Sequence, residues 1–354
     1  MPPSEDPAID NNAFSLQVLE RDRELFDAQL RSFVPPGAFD AHAHLFDVRL
    51  TAGAGQAMLE PGQSAVTRAD YTRRVSAWMG DRCPTGGLFF PFPNPQADTA
   101  GQNRWIADQL RGDATSRGLM LVTPKCNPAD CEALLSEKGL ANKLFVGFKV
   151  YHCYASQLAA DQPSTFHADC AAFMPEWMWE LAHQRELAIT LHLVKSQALA
   201  DPANQTYLRR QCTRYSGAKL ILAHSGRSFS ARHTIDGIES LRGLDNAFFD
   251  NSAICEAGPN EAILRTFGPT RLWFGTDAPI SEVRGRCVSI GDGFLWSYDV
   301  RPQWEHSPFA QPTLVGIESL LALKQACRTM HMTDRDVEWI FGRGARQALG
   351  VPCD

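Results

Sequence analysis

The sequence has no apolar run of about 18 residues, the length that a membrane-spanning helix needs. Its opening stretch, MPPSEDPAIDNN, is polar and acidic, and it lacks the basic and apolar regions of a secretion signal. We therefore expect a soluble, cytoplasmic protein that has no membrane partner.

An excess of basic residues is also lacking, because 34 Lys and Arg are set against 40 Asp and Glu. The formal net charge of −6 argues against a general nucleic-acid-binding surface. The ten cysteines include no C-x-x-C pair, so we expect reduced and mostly buried thiols. No G-x-S-x-G elbow and no phosphate-binding glycine loop occur, which disfavours a serine hydrolase and a nucleotide-binding protein.

What the sequence does contain is eight short runs that are mostly apolar on both faces. Such runs are typical of strands buried in a parallel sheet. In chain order they are FDAHAHL (39–45), GLFFPFP (87–93), GLMLVTP (118–124), FVGFKVY (145–151), LAITLHL (187–193), KLILAH (219–224), AFFDNS (247–252) and RLWFGTDA (271–278). Amphipathic segments that suit helices separate the runs. Eight strand–helix alternations predict the α/β class and a (β/α)₈ TIM barrel.

Further helices are predicted at both ends of the chain. An apolar face recurs along 14–33 until a Pro-Pro-Gly stretch interrupts it, and two more helical segments, 312–330 and 334–349, follow the eighth strand. We therefore expect an N-terminal tail and helix over 1–37, followed by one barrel domain over 38–350.

Five potential metal ligands lie at the carboxyl ends of predicted strands. His42 and His44 are two residues apart, so a strand would point both imidazoles to one face. His192 ends the fifth strand, His224 the sixth and Asp277 the eighth. Strand ends converge on one mouth in a barrel, and zinc-like cations prefer imidazole and carboxylate ligands. The pattern indicates a divalent metal site.

The motifs FDAHAHLFD, TLHL, LAHSG and FGTDAP resemble those of the amidohydrolase superfamily of metal-dependent barrel enzymes. The chain is most similar to the branch that holds lactonases and nonoxidative decarboxylases. The resemblance implies that His42, His44, His192 and Asp277 bind one divalent ion, with Zn²⁺ favoured. It also implies catalytic roles for Asp277 in proton transfer and for His224.

GFKVY places Lys149 and Tyr151 at the end of the fourth predicted strand. In one branch of the superfamily, a lysine at about this place is carbamylated and bridges two metals. One metal is our first expectation, with Lys149 and Tyr151 contacting substrate. Two metals with a carbamylated Lys149 are the alternative.

Cations at the predicted mouth favour a small anionic substrate, because guanidinium binds carboxylate in a bidentate way. Arg227 follows the sixth strand and Arg284 the eighth. Both lie near the metal motifs in sequence, and we predict that both bind substrate.

Three long loops, 46–68, 152–174 and 279–311, follow predicted strands and would surround the mouth. The aromatic segment FLWSYDVRPQW (294–304) would form a lid or pack on the barrel as an ordinary hydrophobic loop.

These features predict a metal-dependent hydrolase that cleaves a lactone, ester or amide bond in a small carboxylate-bearing substrate. Asp277 would transfer the proton and His224 would polarise a carbonyl. A nonoxidative decarboxylase with the same ligands is the alternative. A non-catalytic binding barrel is a third reading, which the intact ligand set disfavours. A homodimer is compatible with the sequence.

Overall fold

Eight parallel strands form one sheet in which neighbours in the chain are also neighbours in space. The computed structural model describes residues 16–137, 143–156, 164–298 and 310–352. The strands are β1 Phe39–His44, β2 Gly86–Phe90, β3 Arg117–Leu121, β4 Phe145–Val150, β5 Ala188–Leu191, β6 Lys219–Leu222, β7 Ala247–Asp250 and β8 Leu272–Trp273.

Backbone hydrogen bonds between β1 and the segment that follows β8 close the sheet into a barrel. These bonds run from Ala41 N to Phe274 O (2.8 Å), from Asp277 N to His42 O (2.7 Å) and from His44 N to Ala278 O (2.8 Å). Closure leaves no free sheet edge at this seam. The predicted (β/α)₈ barrel is confirmed, and its closing seam carries three of the predicted metal ligands.

Helices surround the sheet. They are α1 Glu20–Gln29, α2 Arg68–Met79, α3 Thr99–Gln109, α4 Pro128–Leu135, α5 Glu176–Arg185, α6 Pro202–Arg214, α7 Ala231–Gly237, α8 Ala257–Phe267, α9 Val315–Thr329, α10 Asp334–Glu338 and α11 Gly344–Leu349. Within the described residues, no helix combines the length and apolar character that a membrane crossing requires.

A bulge in β1 turns the two histidines into the barrel. Asp40 pairs with Gly87 and Ala43 with Phe89, so β1 contains one extra residue between these two pairings. Ala41 therefore packs in the inner core, whereas Ala43 packs in the outer layer between strands and helices. Simple alternation along FDAHAHL would have kept both alanines on one face.

The inner core is apolar at the amino-terminal end of the barrel. Phe39, Leu88 and Trp273 belong to this cluster, and Leu349 from α11 packs against it. The last helix thus covers the bottom of the barrel, and the buried histidines lie towards the opposite end.

The mouth loops contain short regular elements. The loop after β1 pairs Phe46–Asp47 with Ala65–Val66. The loop after β8 forms an antiparallel hairpin of Gly285–Ile290 with Gly293–Tyr298, here called the mouth hairpin.

The N-terminal helix is shorter than predicted, because α1 covers only Glu20–Gln29 of the expected 14–33. Residues 14 and 15 lie outside the described part of the chain. The helix begins where the Asp22 carboxylate accepts a hydrogen bond of 2.8 Å from the backbone N–H of Leu19. It packs against α2, with the rings of Phe26 and Trp78 6.0 Å apart. The domain boundaries predicted at 37 and 350 stay predictions.

Arg284 fixes α1 to the loop after β8. Its guanidinium donates to both carboxylate oxygens of Asp22, at 2.9 and 2.6 Å, and to the carbonyl oxygens of Gln17 and Pro312. Both charged side chains are almost completely buried. This arrangement favours a structural role for Arg284 over the predicted contact with substrate.

We expect Arg284→Met to lower the free energy of unfolding by about 3–5 kcal/mol, because it leaves the Asp22 carboxylate buried without its cation. Chemical denaturation measures the change. The control is Asp81→Asn, which breaks an ion pair with Arg31 whose side chains are 51% and 56% exposed and should cost under about 1 kcal/mol. If Arg284→Met leaves the stability unchanged and weakens substrate binding, the result would support the predicted contact of Arg284 with substrate.

Candidate metal centre

The predicted first-strand histidines and Asp277 meet inside the mouth, and all three side chains are buried. The Nε2 atoms of His42 and His44 each lie 3.4 Å from Oδ1 of Asp277. The Nδ1 atoms have other partners. His42 Nδ1 lies 3.0 Å from Oδ2 of Asp250, and His44 Nδ1 lies 3.3 Å from the carbonyl oxygen of Pro91.

The partners of Nδ1 determine the tautomer of both rings. A carbonyl oxygen and a carboxylate accept hydrogen bonds, so Nδ1 carries the proton in His42 and in His44. Each Nε2 therefore presents a lone pair towards the Asp277 carboxylate. His42 Nε2 is buried and has no hydrogen-bond partner among the described residues. Lone pairs that face one another repel, and a cation between them would turn this repulsion into attraction.

The spacing of these atoms fits a small cation. A tetrahedral zinc ion with ligands at about 2.0–2.1 Å holds those ligands about 3.3 Å apart. The observed separations from Asp277 are 3.4 Å. Two imidazoles and a carboxylate are also ligand types that zinc prefers. The residues present therefore fit the metal in both geometry and chemistry.

Asp250 at the end of β7 supports this cluster from behind. Its Oδ2 accepts the hydrogen bond from His42 Nδ1, and its Oδ1 accepts from the backbone N–H of His224 at 3.1 Å and of Ser252 at 3.2 Å. A carboxylate behind a metal-binding histidine orients the ring and raises its basicity. Sequence reasoning missed Asp250, although AFFDNS places it at a strand end, the same signal that singled out the histidines.

His224 and His192 lie side by side, with ring centroids 5.2 Å apart. His224 Nδ1 is 3.0 Å from the carbonyl oxygen of Ser252, so it donates there and leaves the lone pair on Nε2. His224 also belongs to a second donor cluster with His42 and Asp250. His192 joins neither cluster of the described donors, and its role as a ligand stays a prediction.

The chain makes a left-handed turn where β6 reaches the mouth. His224, Ser225, Gly226 and Arg227 have φ values of 53°, 53°, 78° and 58°. Each non-glycine residue in this region costs on the order of 1–3 kcal/mol, and such strain concentrates at functional sites. Asp277 has a φ of 58° as well. The catalytic pair predicted from the sequence thus lies on strained backbone.

Burial determines the protonation of the cluster. It lowers the pKa of His44 to about 3 and that of His224 to about 4, and it lowers the pKa of His42 and His192 well below the usual value. The imidazoles are therefore neutral, the form that binds metal. Burial raises the pKa of Asp277 to about 6, partly offset by the nearby His224 and a lysine.

That lysine is Lys149, which is buried beside the cluster. Its Nζ lies 4.6 Å from the ring centroid of Phe90 and 4.8 Å from that of Tyr151. Within the described residues, Nζ has no hydrogen-bond partner. Burial lowers the pKa of Lys149 to about 8, although the charges of Asp250 and Asp277 favour the protonated form.

Arg227 is buried at the edge of the mouth. Its guanidinium lies 4.2 Å from the ring centroid of Phe166, and Nη2 donates to the carbonyl oxygen of Ser196 at 3.4 Å. Its charge also adds to the effect of burial in lowering the pKa of His192, which places the two groups near each other. The fold brings Arg227 close to the cluster, whereas Arg284 pairs with the N-terminal helix.

The mouth hairpin packs against the strained turn. Phe294 and Trp296 have ring centroids 5.3 and 5.2 Å from that of Phe229, and the Phe229 ring lies 5.2 Å from His224. Residues 299–304 of the predicted lid lie outside the described residues. The described part of that segment forms an aromatic wall beside the site.

Comparisons with known proteins identify solved structures of the same fold. The fold is similar to that of an amidohydrolase from Burkholderia multivorans with bound zinc, at 14% identity and a TM-score of 0.57 over 89% of this chain and 99% of that one. A protein from Pseudomonas putida described as a 2-pyrone-4,6-dicarboxylic acid hydrolase aligns at 16% identity and a TM-score of 0.53, over 90% and 100% of the two chains.

A 5-carboxyvanillate decarboxylase from Sphingomonas paucimobilis aligns at 13% identity and a TM-score of 0.51, over 90% of this chain and all of that one. At such identities the likeness shows the fold alone. A search of curated protein sequences found no match. The amidohydrolase family model matches residues 39–351, from the first strand of the barrel to the segment after its last helix. The resemblance expected from the motifs is confirmed, and the chain belongs to the amidohydrolase family of enzymes.

Proposed function

We propose that the chain holds one divalent ion, with zinc favoured, on His42, His44, His192 and Asp277. The observation that carries the proposal is the convergence of three buried lone-pair atoms, with both Nδ1 protons directed away from the cluster. His192 is the fourth donor in this proposal. Its buried Nδ1 has no hydrogen-bond partner within the described chain, and its ring lies 5.2 Å from that of His224. The zinc bound to a structure of the same fold is consistent with this choice.

One ion is favoured over two by the surroundings of the second donor cluster, which consists of His42, His224 and Asp250. Asp250 already accepts hydrogen bonds from His42 and from two backbone N–H groups, which suits an orienting carboxylate better than a metal ligand. Lys149 lies between two aromatic faces, a position that suits an ammonium group. Two metals with a carbamylated Lys149 remain the alternative that elemental analysis distinguishes.

The reaction we propose is hydrolysis of a lactone, ester or amide. A divalent ion in this site would supply a more acidic water and polarise an oxygen of the substrate. Asp277 would accept a proton from that water and return it to the leaving group. His224 lies beside this carboxylate, with its Nδ1 4.0 Å from Oδ2 of Asp277, and it would orient the reacting groups.

A carboxylate-bearing substrate is favoured by the cations of the mouth. Arg227 is buried among aromatic rings and lies near His192, so a substrate carboxylate would meet a desolvated guanidinium. Lys149 and Tyr151 would contact the substrate from the β4 side. Nonoxidative decarboxylation on the same donors is the second candidate, since proteins of this fold include a decarboxylase as well as a hydrolase.

A panel of small carboxylated lactones, esters and amides tests the reaction type with the metal-loaded protein. Hydrolysis would incorporate oxygen from labelled water into the organic product, whereas decarboxylation would release carbon dioxide and leave the organic product unlabelled. Turnover that survives chelation and removal of metal would contradict both candidates.

Metal content is the next prediction. We expect one equivalent of divalent metal per chain and near-complete loss in His42→Ala, because that change removes a ligand. Asp250→Asn should weaken metal binding by about 10–100-fold, the usual effect of losing the group that orients a ligand. Elemental analysis and competition with a chelator measure both. Two equivalents, together with a carbon dioxide adduct on Lys149, would contradict the one-metal proposal.

Asp277→Asn tests the proton-transfer role. The change keeps the size of the side chain and removes its basicity, so kcat should fall by about 10² or more. Steady-state kinetics at saturating metal separates this effect from weaker metal binding. The control is Asp169→Asn, which removes an exposed acid of the loop after β4 that pairs with Lys195, and it should leave kcat unchanged.

Arg227→Met should raise KM by the equivalent of about 2–5 kcal/mol, because the substrate carboxylate loses a buried partner. Metal content should stay the same. Arg232→Met is the control, since Arg232 is 69% exposed and pairs with Asp292 on the surface. Equal KM values for the two variants would contradict the anionic-substrate proposal.

A further inference from the structure

A cavity of about 790 Å³ lies at the amino-terminal end of the barrel, opposite the mouth. Residues near the starts of strands β4 to β7 line it, together with Arg271 just before β8 and residues of the last helix, α11. Lys219 starts β6 and His224 follows the end of the same strand, so the cavity and the proposed metal centre are about 15 Å apart. Small-molecule sites have volumes of about 300–1,000 Å³, so this cavity has the size of a second binding site.

Part of the cavity lining is apolar. Val146, Phe248 and Leu349 belong to the inner core and also line the cavity. Their exposed fractions are 7%, 8% and 7%, whereas Phe39 and Leu88 of the same core are fully buried. Solvent therefore reaches the inner core through this cavity, and an apolar ligand would cover the surface that these side chains leave open.

Two cations adjoin the apolar surface. Lys219 Nζ donates a hydrogen bond to the carbonyl oxygen of Glu186, and Arg271 Nη1 donates to the carbonyl oxygen of Asp245. A carbonyl oxygen carries no full charge, so both side chains keep a net positive charge at the cavity. The guanidinium of Arg271 lies 4.6 Å from the ring centroid of Phe248, which places charge and apolar surface side by side.

The electrostatics of the lining favour an anion with a single charge. Burial lowers the pKa of Lys219, and the charge of Lys143 acts in the same direction while that of Glu186 opposes it. Burial also lowers the pKa of Arg271, against the charge of Asp245. A bound anion would relieve the repulsion between the two lysines. The carboxylates of Glu186 and Asp245 also line the cavity and would repel a dianion more strongly than a monoanion.

We propose that this cavity binds a small amphipathic molecule with one carboxylate group. Arg271 and Lys219 bind the carboxylate, because guanidinium and ammonium groups form charge-assisted hydrogen bonds with it. Phe248 and Leu349 contact the apolar body of the ligand. Leu349 belongs to α11, so the ligand also holds this helix against the barrel. The site is separate from the proposed metal chemistry and does not depend on it.

Isothermal titration calorimetry of the full-length, metal-loaded protein tests the ligand class. Naphthalene-2-carboxylate is the probe, naphthalene-2-carboxamide lacks its charge, and inorganic phosphate lacks its apolar body. We expect the carboxylate to bind at least about tenfold more tightly than either of the others, since each lacks one of the two features that the cavity recognises. A carboxamide or phosphate that binds as tightly as the carboxylate would overturn this ligand class.

Substitutions locate the bound probe. Arg271→Met removes one cation, and Ala348→Leu fills part of the cavity from α11. Each should weaken binding of the carboxylate at least about tenfold. Lys219→Met tests the charge independently of Arg271. The control is Arg227→Met at the mouth, which should leave this binding unchanged. Circular dichroism and metal content verify that every variant is folded.

Hydrogen exchange gives a local readout of the same binding. A saturating concentration of the carboxylate should slow exchange of the backbone amides of 344–349 and leave those of the mouth hairpin, 285–298, unchanged. Binding that Arg227→Met abolishes but Arg271→Met and Ala348→Leu leave intact would place the probe at the mouth and overturn the proposal. The absence of measurable binding at millimolar probe would overturn it as well.

Discussion

The backbone seam between β1 and the segment after β8 is the constraint on which the site depends. Its hydrogen bonds join His42 to Asp277 and His44 to Ala278, so the residues that close the barrel also bear the proposed ligands. Asp40 strengthens this seam, because its buried carboxylate accepts hydrogen bonds of 2.9 Å from the backbone N–H groups of both His42 and Thr276. The hydrogen bonds that close the sheet therefore also bring three of the four proposed ligands together.

The bulge in β1 determines which of its side chains point into the barrel. Without the extra residue, the alternation that points Phe39 and Ala41 inwards would turn His42 and His44 towards the outer helices. The buried carboxylate of Asp250 then holds the His42 ring with Nε2 facing Asp277. The bulge thus determines the face of β1 on which the histidines lie, and the hydrogen bond determines the orientation of the His42 ring. A rigid scaffold pre-organises a metal site in this way.

The sequence predicted the barrel and the strand-end histidines because both follow from local patterns. Buried parallel strands are apolar on both faces, and a histidine at the end of such a strand interrupts that pattern visibly. The ion pair of Arg284 with Asp22 could not be predicted, since the two residues lie 262 positions apart and no local signal links them. The start of α1 was missed although its signal is local, because Asp22 accepts the hydrogen bond of the Leu19 backbone N–H only three residues before it. Asp250 was overlooked although its position followed the rule applied to the histidines.

The tautomer of His224 narrows the chemistry that this donor set can perform. With Nδ1 donating to the carbonyl oxygen of Ser252, the neutral ring has no proton left to donate at Nε2. Burial lowers the pKa of His224 to about 4, so the doubly protonated form is scarce near neutral pH. In the proposed mechanism Asp277 supplies the proton to the departing atom. Burial raises its pKa to about 6, and a bound cation would lower that pKa again. Proton delivery and metal binding therefore compete for one carboxylate. In the proposed hydrolysis, Asp277 takes the proton from water first and then gives it to the leaving group.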